Sequence, residues 1–176
     1  MKITVLLGLA ALFASSLAAP RLEAATTVVY LVRHAEKGTQ PPDDPPLTPA
    51  GKARAVALSA IMAQAHPVAA IHTQFLRTKQ TAEPTITALH IPAIQITRDV
   101  NPEPNAQAVA AKIRQQFAGT TVLVVGHSDS VPAILRQLGI AHPPAIPETQ
   151  FNRLFKVTKG PWPWSKATLV EANYGK

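Results

Sequence analysis

Cysteine is absent from the 176-residue chain. That excludes a disulfide framework, a thiolate nucleophile and any zinc or iron–sulfur centre held by thiolates. Charge is sparse as well: Asp, Glu, Lys and Arg make up 15% of the residues, against 47% hydrophobic ones. This balance is the reverse of the disordered signature, and the length suits one domain with a single core. Aromatic residues are only 5%, and the basic pairs Lys52/Arg54, Arg77/Lys79, Lys112/Arg114 and Lys156/Lys159 are spread along the chain. A single-strand platform needs rings interleaved with a basic track, so nucleic acid is not an expected partner.

One long apolar run exists, at residues 3–19 behind Lys2. It falls at or below the roughly 17–25 residues a spanning helix needs, and small residues follow it. Residues 1–24 therefore read as a secretory signal peptide, with cleavage expected after Ala24 and Ala19 as the second choice. The competing reading is an uncleaved N-terminal anchor. Residues 25–176 then form a single exported domain, placed in the periplasm, with no stable membrane insertion once the leader is gone. Losing Lys2, Arg21 and Glu23 lowers the formal charge from +7 to +6. That excess suits an anionic substrate or an anionic envelope surface.

Beyond the leader, short apolar runs alternate with helical patterns. Strands are predicted over 27–32, 68–73, 94–97 and 121–125, each too short for a helix, the first and last apolar throughout as in strands buried on both faces. Helices are predicted over 50–65, 79–89, 105–117 and 131–138. The first has Thr48 as its cap and Pro49 at its first position, ideally suited to the missing amide hydrogen of proline. Late strands are expected over 152–158 and 167–171, around a turn rich in Pro and Gly. Such alternation implies an α/β layered fold with a largely parallel sheet flanked by helices.

In such sheets ligands bind beyond the carboxyl ends of the strands, and two of these strands run into histidine, at Arg33-His34 and Gly126-His127. A buried strand is a rigid platform, so two imidazoles at neighbouring strand ends can be held as nucleophile and assistant. They would equally serve as two of three metal ligands, but the adjacent Arg33 argues against a cation and for a phosphate clamp. A hydrolase nucleophile elbow at Gly126-His127-Ser128-Asp129-Ser130 is a weaker alternative, since Ser130 stands where the sharp turn needs glycine.

Leu31-Val32-Arg33-His34-Ala35-Glu36 resembles the Arg-His-Gly signature of the histidine phosphatase superfamily, the phosphoglycerate-mutase-like fold, with Ala35 in place of the usual glycine. Three further segments resemble that family in order: Leu47-Thr48-Pro49-Ala50-Gly51, the second-arginine segment from Thr73 through Arg77 to Ala82, and Val124-Val125-Gly126-His127-Ser128. The resemblance implies a three-layer sandwich and metal-independent phosphomonoester hydrolysis without cofactor. His34 would carry the phosphoryl group, Arg33 and Arg77 would bind and neutralise it, and His127 would assist by donating to a phosphoryl oxygen. Ser128 either binds phosphate or caps the following helix. Glu103, on a loop, is the expected proton donor, with Asp129 and Asp99 as alternatives. Glu36 is expected in a supporting role, paired with Lys37 or Arg54 or orienting an arginine. Glu148, Phe151 and Asn152 are expected to be structural, and His66, His72, His90 and His142 to be surface or packing residues. The substrate would be a small exported or envelope phosphate ester such as a sugar phosphate, accepted past the 41–46 loop. The alternatives are a non-catalytic phosphate-binding scaffold and mutase-type phosphoryl transfer.

Overall fold

A computed structural model describes residues 25–161 and 164–175. The expected leader and its cleavage point lie outside the described residues. Ten elements follow in order. The strands are β1 (Thr27–Arg33), β2 (Ala70–His72), β3 (Ala93–Gln95), β4 (Thr121–Gly126), β5 (Arg153–Lys159) and β6 (Ala167–Asn173). The helices are α1 (Pro49–Ala65), α2 (Leu76–Leu89), α3 (Pro102–Gln116) and α4 (Ser130–Gln137). The strands form one sheet in the order β3-β2-β4-β1-β5-β6. Its first four strands are mutually parallel, and β5 and β6 complete it antiparallel.

The apolar runs exist because the central strands are covered on both faces. Alternate residues split between two clusters: Val29, Leu31, Ile71, Val122 and Val124 pack with Val109, Ile113, Ile134 and Leu135 of α3 and α4. Val32, Ala70, Leu123 and Val125 pack with Leu58, Met62 and Ala82 of α1 and α2. The result is the expected three-layer α/β sandwich. No helix among the described residues is long and apolar enough to cross a membrane.

Two helix starts lie three residues earlier than the sequence periodicity predicts, and both matter for the site. α2 begins at Leu76 rather than 79, because the Asp44 carboxylate accepts the Leu76 amide at 2.9 Å and 3.0 Å; Arg77 thus lies in its first turn. α3 begins at Pro102, capped by Asn101, whose side chain accepts from the Glu103 amide at 3.0 Å. Glu103, expected on a loop, is therefore on a helix. His66 and His90 cap α1 and α2 in the left-handed region, at φ 48° and 53°. Both are exposed, as expected of surface residues. His72 is buried at the end of β2, its Nδ1 on the Thr73 carbonyl at 2.7 Å.

Candidate active site

The register of β1 against β4 builds the site. Arg33 pairs with Gly126, and the His34 amide continues the ladder by donating to the Gly126 carbonyl at 2.9 Å. His34 and His127 therefore emerge side by side beyond two adjacent parallel strands. Their rings meet edge to face, with centroids 5.4 Å apart. Both are nearly fully buried.

Each ring is held by one nitrogen. His34 Nδ1 donates to the Ala35 carbonyl at 2.8 Å, which leaves the lone pair of the neutral ring on Nε2. His127 Nε2 lies 3.0 Å from Thr73 Oγ1, itself 2.9 Å from Thr78 Oγ1. The Thr78 hydroxyl is placed to donate to the Phe75 carbonyl at 2.8 Å, so a consistent chain of donors has His127 Nε2–H donating to Thr73. Ala35 sits without backbone strain, since its φ is not positive, and its amide donates to Thr81 Oγ1 at 2.9 Å.

Burial removes the solvation that a charged imidazole needs, and nearby guanidinium groups repel a second positive charge. Desolvation is the main cause at both rings: His34 is pulled down to about 3, with Arg33 and Arg77 adding to the shift against the Ala35 carbonyl. His127 is pulled to about 2, with His34, Arg98, Arg77 and Arg33 adding. Both are neutral at pH 7. An unfolded chain carries these groups near 6.5. Below that pH it takes up protons the folded state refuses, so stability is present at neutral pH and is lost as pH falls from about 6.5 toward 3. Two such groups are expected to cost up to ~2.7 kcal/mol per pH unit within that window. Urea midpoints measured at pH 7, 6, 5 and 4 should fall progressively; a constant midpoint down to pH 4 would show that the rings titrate without penalty.

Two arginines flank the rings. Arg33 is buried, its Nη1 donating to the Pro147 carbonyl at 3.0 Å, its Nη2 paired with Glu148, and its guanidinium 4.2 Å over the Phe151 ring. Arg77 stacks 4.2 Å over Phe75, whose ring stands edge-on to His127, and its Nη1 is 3.6 Å from Asp44. Burial lowers both guanidinium pKa values, opposed chiefly by Glu148 at Arg33 and Asp44 at Arg77. Asp44 belongs to the Pro-rich segment expected at the pocket mouth, and it does reach the site. Ser128 donates its hydroxyl to Glu148, and no contact places it against a histidine base as an elbow serine requires.

Arg33, His34, Arg77, His127 and Ser128 are thus brought together, but Glu103 is not. Its Oε1 accepts from Arg136 Nη2 at 2.7 Å on the α3/α4 surface, and it touches none of these residues. The helix start at Pro102 is what carries it there. Asp129 is near the site, ion-paired with Arg98, whereas Asp99 is exposed. Glu36 forms the ion pair with Arg54, one of the expected alternatives: Arg54 Nε donates to both its oxygens at 3.0 Å and 2.9 Å. Burial is the largest single influence and would raise its carboxyl pKa, but the Arg54 hydrogen bonds, its own backbone amide and the charges of Arg54 and Arg33 together hold it below the usual range. Sequence reasoning missed Thr73, Phe75 and Arg98 as contributors, and read Glu148 and Phe151 as structural. None lies in a pattern with a chemical signature of its own; each is made a site residue by its neighbours in space.

A family model for the histidine phosphatase superfamily (branch 1) matches residues 29–100, from β1 to the segment after β3. The solved structure of the protein histidine phosphatase SixA complexed with tungstate is 20% identical, with a TM-score of 0.67 over 83% of this chain and 96% of that one. This is the histidine phosphatase fold. Other structures with the histidine phosphatase fold include mycobacterial glucosyl-3-phosphoglycerate phosphatase, 13% identical at a TM-score of 0.66 over 85% of this chain and 99% of that one. Bacillus stearothermophilus YhfR is 18% identical at 0.65, over 82% and 95% respectively. No curated protein sequence matches the chain. The family match ends before β4, so His127 enters the site through the sheet register rather than through that match.

Proposed function

We propose that this chain hydrolyses phosphate monoesters without a metal ion, through a phosphohistidine intermediate on His34. The observation that carries the reading is the unengaged Nε2 of a neutral, buried His34, with Arg33, Arg77 and His127 around it. Nε2 attacks phosphorus, a nitrogen–phosphorus bond forms and the ester oxygen leaves. Arg33 and Arg77 hold the phosphoryl oxygens, and charge between the rings favours a proton on His127, which donates to one of them. Water then cleaves the nitrogen–phosphorus bond and returns His34.

The carboxylates of Glu148, Asp129 and Glu103 each already have partners. Glu148 is held by Arg33 and Ser128, Asp129 by Arg98 and the Ser130 amide, and Glu103 by Arg136. A carboxylate so held is not aimed at a leaving oxygen. Leaving groups that depart with little protonation are therefore the favoured substrates: aryl phosphates, and phosphorylated imidazoles of the kind that the name of the SixA relative suggests. Glu103→Gln should lower aryl and alkyl phosphate hydrolysis equally and by less than about threefold. A loss of 10²–10⁴-fold confined to alkyl esters, the range typical of a general acid, would restore Glu103 as proton donor.

The leader-like segment at residues 1–24 and the net positive charge support an exported domain acting on envelope or periplasmic phosphorylated substrates. Turnover of p-nitrophenyl phosphate and a panel of sugar phosphates in EDTA tests the reading. Phosphate binding without turnover on any substrate would favour the scaffold alternative.

A further inference from the structure

Arg98 lies in the segment between β3 and α3, outside the four family-like segments. The Gln74 side chain grips its backbone from both sides: Nε2 donates to the Arg98 carbonyl at 2.7 Å, and the Arg98 amide donates to Oε1 at 2.9 Å. Gln74 sits three residues before Arg77, so the Arg98 segment is tied to the one that positions the second arginine. From there the side chain turns inward. It is only 16% exposed, and its Nε is shut off from water with no hydrogen-bond partner. Its charge acts directly on His127 and on Arg77.

The guanidinium is ion-paired with Asp129, two residues beyond His127. That aspartate is 42% exposed, and its other oxygen accepts the Ser130 amide at 2.7 Å at the start of α4. A cation pinned by its own backbone therefore faces an anion that solvent can reach. Burying a cation costs free energy that one half-exposed carboxylate offsets only in part. A phosphate dianion between the histidines would offer it a stronger partner.

We infer that Arg98 is a third arginine of the anion site, and that Asp129 occupies it as a resident competitor which an incoming phosphate group displaces. The inference rests on the phosphate-site reading above and extends it to a residue that sets affinity. Asp129→Asn removes the competing charge while keeping the helix cap, because asparagine caps as well as aspartate.

The test is calorimetric titration of inorganic phosphate into the wild-type protein, Asp129→Asn, Arg98→Ala, the double variant and Arg33→Ala. Arg98→Ala should weaken binding about tenfold or more, as loss of a charged hydrogen-bond partner does. Asp129→Asn should tighten it about threefold to tenfold, by removing the competitor. In the Arg98→Ala background the same Asn substitution should change affinity by less than about twofold, because no exchange remains. An equal gain with and without Arg98 would mean a general charge effect and overturn the inference, as would unchanged or weaker binding in Asp129→Asn alone. If Arg33→Ala abolishes binding while the Arg98 and Asp129 variants match wild type, the phosphate site stands and this inference fails. No phosphate binding by the wild type would overturn both.

Discussion

Replacing His34 by alanine should abolish p-nitrophenyl phosphate turnover, with a loss of at least about 10³-fold in kcat, as removal of an attacking nucleophile does. His34 is fixed by its Nδ1 bond to the Ala35 carbonyl and by burial at the end of β1. Its Nε2 is the proposed nucleophile, since His127 Nε2 is engaged with Thr73. The depressed pKa of about 3 keeps the ring unprotonated across the physiological range, so no acid limb near pH 6.5 is expected from it. Phosphate binding separates chemistry from collapse of the site. With Arg33 and Arg77 intact the alanine variant should still bind inorganic phosphate within about tenfold of wild type. Residual turnover above a few per cent would remove His34 from the nucleophile's role, and simultaneous loss of phosphate binding would point to a rearranged site.

The second large effect is expected at Gly51. In an ordinary helix interior, glycine to alanine stabilises by about 1 kcal/mol. Here the sign should reverse. Thr48 opens α1 by donating its amide to the Glu36 carbonyl at 2.9 Å and its hydroxyl at 3.3 Å, while Oγ1 accepts the Gly51 amide at 3.1 Å. Those bonds lay the Glu36 backbone across the first turn. A Cβ on Gly51 would be driven into the Glu36 carbonyl oxygen, with the carbonyl carbon and amide nitrogen each only 3.1 Å away. These are backbone atoms and no side-chain rotation relieves the clash, so Gly51→Ala should destabilise by about 3 kcal/mol or more. Activity should fall further than stability alone explains. Glu36 follows Ala35, whose carbonyl orients His34, so a displaced Glu36 misaligns the His34 ring. Chemical denaturation of Gly51→Ala checks the sign: a variant as stable as wild type would show that the first turn moves aside freely.

The same comparison explains why the Thr48–Gly51 segment could be recognised before any fold was known. Its cap and first-turn proline are local necessities of one helix start, and local necessities leave residue-type signatures; Gly51 is required instead by the Glu36 backbone that crosses that turn. The central strands were legible for a related reason. Burial on both faces demands an unbroken apolar run, and a run that ends in Arg33-His34 or Gly126-His127 marks where the rigid platform hands over to chemistry. Fold class, the two histidines and Arg33 follow from such patterns, whereas Arg77 is marked only by the resemblance of its segment to the family.

Arg98, Thr73, Phe75, Phe151 and Glu148 carry no comparable mark. Arg98 is a site residue only because Gln74 holds its backbone and the order β3-β2-β4 brings it toward His127. Glu103 shows the converse. Its spacing from Arg77 fitted a proton donor, but capping by Asn101 starts α3 at Pro102 and leaves the carboxylate on Arg136. Sequence dictates elements wherever burial or capping restricts the residue types at a position. Which long, solvent-tolerant side chains converge on the two histidines depends on contacts between segments far apart in the chain, and those contacts exist only once the sheet has closed its register.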